Sequence, residues 1–165
     1  MQKEINTLKP SVKSTPLKNI RVNKSQESTS NKGIKYSDKS AGQPELIPIF
    51  NEIKRMLETY KTGNFTIREA SGQALLISEK PVVVNSKKRE EMWFASALIQ
   101  KGYVGFYFMP VYGMKKVSDQ IKPELMKCLR GKACFHIKKF DPILNNQIEE
   151  ALKIGYSAYK EMGWI

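Results

Sequence analysis

The chain has 165 residues, 41% of them hydrophobic and 27% charged, an ordinary soluble profile of a length that suits one domain with a real core. Lys and Arg outnumber Asp and Glu by 28 to 16, for a formal charge of +12 and a pI near 9.7. Such a field favours anionic partners and leaves the fold open. Two cysteines, Cys128 and Cys134, are too few for a disulfide framework and fit a reducing compartment.

Residues 1–44 read as a basic, disordered N-terminal tail. Ser, Thr, Lys, Asn and Pro dominate it, Tyr36 is its only aromatic residue, and nine Lys/Arg face three Asp/Glu, half of the total charge. So little apolar surface does not offset an ordering cost of roughly 1–2 kcal/mol per residue. The same charge makes the tail a possible electrostatic arm for nucleic acid. Lys3, Glu4, Lys9 and Lys13 interrupt every short apolar run at the start, and no window approaches the ~20 apolar residues of a membrane span. No membrane association is expected, and the expected location is the cytoplasm.

The folded domain is expected over residues 45–165. Leu46, Ile49, Phe50, Ile53, Met56, Leu57 and Tyr60 trace one face of a helix, with Gly63 as its stop. Strands are predicted over residues 65–70, 74–79 and 81–84, with a turn at Ser71-Gly72 and another at Asn85-Ser86-Lys87-Lys88. Two more, over residues 92–99 and 103–112, are joined through Gln100-Lys101-Gly102, where glycine supplies a left-handed φ. A helix capped at Ser118-Asp119, with Pro123 in its first turn and Gly131 at its end, leads to a strand over residues 133–138. Asp141-Pro142 caps the last helix, whose face runs Leu144, Ile148, Ala151, Leu152, Gly155, Tyr159 and Met162. The expected class is α+β: an antiparallel sheet of about five to six strands with helices packed on it, in the order α-β5-α-β-α.

The strand from Tyr103 alternates Tyr103, Gly105, Tyr107 and Met109 with Val104, Phe106 and Phe108. Both faces are apolar or aromatic. One must pack on helices; the tyrosine face is free to line a groove, with Lys101, Arg130 and Lys132 supplying positive charge and Tyr112 a further ring. Core packing is the competing role for these tyrosines.

Catalytic signatures are weak. His136 is the only histidine, and Cys134, two residues away on the same strand face, is its one conceivable nucleophilic partner; a half-buried thiol beside a neutral imidazole is the simpler reading. Cys128, Cys134 and His136 lack metal-ligand spacing, and Glu90-Glu91 and Glu149-Glu150 are adjacent carboxylates that diverge on any regular element. Arg130-Gly131-Lys132 has no phosphate-loop spacing. Lys101-Gly102-Tyr103 through Phe108 opens and closes like an RNA-recognition signature, but Gly105 stands where the second stacking ring belongs. Neither a cofactor, a dedicated metal site nor an enzymatic reaction is expected.

Phe108-Met109-Pro110-Val111-Tyr112, followed by Pro123-x-Leu125 and Gly131-Lys132-x-Cys134-Phe135, resembles the YdhG-like family of small bacterial α+β domains, largely of unknown function. The resemblance covers about residues 45–165. It implies a compact domain with helices on an antiparallel sheet. Some relatives have been proposed as frataxin-like iron chaperones, a role that calls for a carboxylate-rich surface. Here nineteen basic residues against thirteen acidic ones give residues 45–165 a net +6. The leading expectation is a binding module for an anionic or aromatic small ligand, or for a protein partner, using Lys101, Tyr103, Tyr107, Tyr112, Arg130 and Lys132. Iron delivery and nucleic-acid binding through residues 1–44 are the alternatives.

Overall fold

The structure, a computed structural model, describes residues 37–165. The tail expectation falls on residues 1–44, and its first 36 residues lie outside that range. Residues 38–43 are tied to the domain. Asp38 accepts from Ser71, Lys39 Nζ donates to Gln100 Oε1 at 2.7 Å, and Gln43 Nε2 donates to the Gln100 carbonyl at 3.1 Å. These contacts close over the loops at one end of the sheet.

The class is α+β, a six-stranded antiparallel sheet with helices packed on it. Helix α1 (Leu46–Glu58) buries Leu46, Ile49, Phe50, Ile53, Met56 and Leu57, the stripe its 3.6-residue period requires. It ends at Glu58, and Gly63 (φ +61°) serves the turn into the first strand rather than the helix stop. Strands β1 (Phe65–Ala70) and β2 (Gln73–Ser78) form a hairpin through Ser71-Gly72. β5 (Met92–Gln100) and β6 (Tyr103–Phe108) follow, and β8 (Cys134–Ile137) and β7 (Leu129–Arg130) complete the order β1-β2-β5-β6-β8-β7.

Between β2 and β5 the chain makes a separate ribbon, β3 (Val82–Val84) and β4 (Lys87–Arg89). Only Asn85 and Ser86 form its turn, with φ of 49° and 61°. Two consecutive left-handed residues match the twist of the strands, so the turn is shorter than the four residues expected, and Lys87 and Lys88 pair as strand.

Three other expectations change. The strand from Tyr103 stops at Phe108, and Met109–Gly113 is a short helix, α2, with Pro110 in its first turn. Proline cannot donate to a ladder but suits a helix start, so Met109 leaves the tyrosine face. Ser118 and Asp119 close α3 (Lys115–Ser118) instead of capping the next helix, and Lys115 Nζ lies 2.8 Å from Asp119. Helix α4 (Pro123–Lys127) then ends before Leu129–Arg130 pairs with β8, which puts Gly131 (φ +69°) in the β7–β8 turn rather than at a helix end.

The last helix, α5 (Pro142–Glu161), starts as its sequence dictates. The Asp141 carboxylate accepts from the Ile143 and Leu144 amides at 2.8 and 3.3 Å. Its buried face is Gln147, Ile148, Ala151, Leu152, Gly155 and Tyr159, whereas Met162 lies beyond the helix and is exposed.

One core lies between the helices and one sheet face. Leu76, Ala95, Ala97, Val104, Phe106, Phe108, Phe135 and Ile137 supply the sheet side of it. A bulge lets two consecutive residues of β5 enter. The register passes from Leu76↔Ala95 to Ile77↔Trp93, so Phe94 has no partner across the ladder and turns inward beside Ala95. The Phe94 ring then meets Phe65, Phe108 and Tyr159 with centroids 5.0 to 5.7 Å apart. Tyr159 Oη donates to the Trp93 carbonyl at 2.7 Å, a bond from α5 to the backbone beside the bulge.

Candidate functional site

The second face of the sheet is built by the ladder. Residues paired across antiparallel strands share a face, so the registers assemble one row over all six strands: Arg68, Leu75, Ser96, Tyr107, Cys134 and Arg130. The next row runs Ala70, Gln73, Leu98, Gly105 and His136, and Tyr103 follows opposite Gln100. An antiparallel sheet commonly carries polar residues on the face away from its core. Here the middle of that face holds Leu75, Leu98, Tyr103, Tyr107 and Cys134, all half-buried. Arg68 and Arg130 stand at the two ends of the long row, Arg68 paired with Glu91 at 2.6 Å.

Two features shape its centre. The Tyr103 ring lies flat on the His136 imidazole, with centroids 3.7 Å apart and planes 12° from parallel. Gly105 sits under the cluster, where a β-carbon would press on the Tyr107 ring at 2.9 Å from Cε2 and would meet Sγ of Cys134 at 3.5 Å and Cε2 of Tyr103 at 3.6 Å, both ordinary contacts. The residue that spoils the RNA-recognition pattern is therefore the one over which the Tyr107 ring lies close.

Burial shifts the groups at the centre of this face further towards their uncharged forms. It pushes the Cys134 thiol up, against a smaller downward pull from the Tyr107 hydroxyl that hydrogen-bonds its sulfur. It pushes the Tyr103 phenol up, with the nearby Cys134 adding to the effect. It also lowers His136 below the ordinary imidazole value, helped by the positive charges of Arg130 and Lys138. A protonated thiol and a neutral imidazole are not a thiolate–imidazolium pair, and the His136 ring is committed to Tyr103. The arrangement can stack, hydrogen-bond and attract anions.

The six residues named from sequence divide into three groups. Tyr103, Tyr107 and Arg130 share the second face. Lys101 lies in the β5–β6 turn at one end of β6. Tyr112 and Lys132 lie beyond the other end, where Lys132 Nζ stands 5.0 Å from the Tyr112 ring centroid and 3.5 Å from its hydroxyl. Six residues of β6 separate the two ends, roughly 17 Å at 3.4 Å per residue. Lys132 and Tyr112 form a surface pair of their own. Arg130 Nη1 donates to the carbonyls of Lys127 and Leu129, which holds one terminal nitrogen of the guanidinium against the backbone beside the short edge strand.

Sequence reasoning passed over His136 as a stacking partner, and Leu75 and Leu98 as the floor beside the rings. The signal existed: the alternation that buries Leu76, Ala97 and Ile99 necessarily puts Leu75 and Leu98 on the opposite face. Among the described residues no group of three His, Cys, Asp or Glu side chains could hold a metal ion, and no helix is long and apolar enough to cross a membrane. Compared with protein-family models, with curated proteins and with solved structures, the chain has no match.

Proposed function

We propose that this chain is a non-enzymatic binding module of YdhG-like fold, taking an aromatic ligand that carries negative charge against the second face of its sheet. The observation that carries the reading is the Tyr103–His136 stack over Gly105, next to Tyr107 and two strands from the edge residue Arg130. A flat ring stacks on Tyr103 or Tyr107 at little entropic cost, because both side chains are already held; an anionic group meets the guanidinium. Cys128 and Cys134 are free thiols, in keeping with a cytoplasmic setting. For the family-derived alternative, iron delivery, no cluster of three or more carboxylate, histidine or cysteine side chains that could hold a metal ion stands among the described residues. Nucleic-acid binding through residues 1–44 concerns a segment largely outside them.

A thermal-shift screen of the full chain against nucleotides, small aromatic carboxylates, inorganic phosphate and Fe(II) tests the reading. A ligand at about 100 times its Kd adds ~2.7 kcal/mol to the native state. An aromatic anion is expected to raise the Tm, and Tyr107→Ala or Arg130→Gln to reduce that rise while the unliganded protein stays folded. Hits confined to Fe(II), or an aromatic hit indifferent to both substitutions, would sink it.

A further inference from the structure

The β3–β4 ribbon stands apart from the six-stranded sheet that carries the tyrosine face. Its two strands pair with each other and belong to no other sheet: Val82 with Arg89, Val83 with Lys88, Val84 with Lys87. The composition of the two strands is polar opposite. β3 is all valine, and β4 is all cationic and all exposed. On one face Lys87 and Arg89 flank Val82 and Val84; on the other Lys88 stands beside Val83, which is 70% exposed. Lys88 reaches Glu90 at 2.8 Å, whereas Lys87 and Arg89 have no carboxylate partner among the described residues. The left-handed pair Asn85-Ser86 makes the shortest hairpin turn, so the cations are presented on a fixed register.

Lys87 and Arg89, their charges unpaired among the described residues and on one face of a thin ribbon, repel one another, and a two-stranded hairpin has little stability to set against that repulsion. A polyanion relieves it. We infer that this ribbon docks on duplex DNA, entering the major groove. Strands ~4.8 Å apart with side chains on both faces fit a groove about 12 Å wide, which admits a two-stranded ribbon. Lys87, Lys88 and Arg89 would contact phosphates on either side, and Val83 offers an apolar surface for base edges. The ribbon carries no Trp, Phe or Leu, the residues by which a basic amphipathic element enters a lipid interface. Duplex RNA, whose major groove is deep and narrow, does not accept it.

The test uses the full chain and a short fluorescent DNA duplex, with anisotropy read across a salt series. Replacing Lys87, Lys88 and Arg89 together by Gln is expected to flatten the plot of log K against log salt by about 2.7, and each single replacement by about 0.9. The three side chains are exposed, so the thermal melt of the variant is expected to match that of the parent. An unchanged slope overturns the inference, since any binding then belongs to other cations of the chain. Equal ribbon-dependent binding to duplex RNA overturns the groove assignment. Ribbon-dependent binding to vesicles of anionic phospholipid, with none to the duplex, overturns the choice of partner.

Discussion

Gly155 of α5 lies directly on the ring of Phe108 at the end of β6. A β-carbon at 155 would come within 2.5 Å of Cζ and 2.8 Å of Cε2, and within 3.0 Å of the Pro110 ring. This contact sets how closely α5 approaches the sheet just where the strand turns into α2. Glycine in a helix costs about 1 kcal/mol relative to alanine, so Gly155→Ala is stabilising on propensity alone. Packing should win, because the obstacles are a fully buried ring and a proline. A net loss of about 1–3 kcal/mol in urea unfolding is expected. A stabilised Gly155→Ala would mean that α5 rides higher on the sheet.

Tyr159→Phe tests the backbone beside the bulge. It removes the 2.7 Å hydrogen bond that the buried phenol donates to the Trp93 carbonyl, for an expected cost of about 1 kcal/mol. Burial also raises the Tyr159 phenol well above its ordinary value. The neutral phenol is then favoured in the fold, so its stability contribution is complete below about pH 10 and declines as the unfolded chain ionises above it. The gap between wild type and Tyr159→Phe should shrink between pH 9 and 11 (roughly one unit either side of the ordinary tyrosine value). A gap constant over that range would contradict the assignment.

Gln147 joins two helices from a buried position. Its Oε1 accepts the Leu125 amide at 2.9 Å, and its Nε2 donates to Glu124 at 2.9 Å. The first amides of α4 have no partner within that five-residue helix, so α5 supplies one. Gln147→Ala should cost about 1–3 kcal/mol and speed exchange of the Leu125 amide in particular. Equal exchange at Leu125 in both proteins would show that water replaces the side chain at no cost.

His136, as the only histidine, gives one imidazole signal to follow by NMR. Its pKa is expected below the ordinary value, for burial and for the nearby Arg130 and Lys138 charges. Arg130→Gln should raise it. A folded pKa below the unfolded one means that the neutral form belongs to the native state. Stability is then lost as pH falls through the unfolded value of about 6.5 towards the folded one. An ordinary pKa unmoved by Arg130→Gln would separate His136 from the charge at the sheet edge.

Much of this molecule was legible along the chain. The apolar stripes of α1 and α5, the Asp141-Pro142 start and the alternation of β6 are short-range patterns, each set by the geometry of its own element. Positive charge and two free thiols were legible in the same way. What only the tertiary structure decided lies in pairing. Pro110, a local signal, ends β6 at Phe108, but the inward turn of Phe94 depended on a bulge that no local signal marks. Tyr103 and His136 are 33 positions apart, and Arg68 and Arg130 are 62; ladder registers, which act between distant segments, put each pair on one surface. Local periodicity tells each residue which side of its strand to take, but only the order and register of the strands determine which residues it meets there.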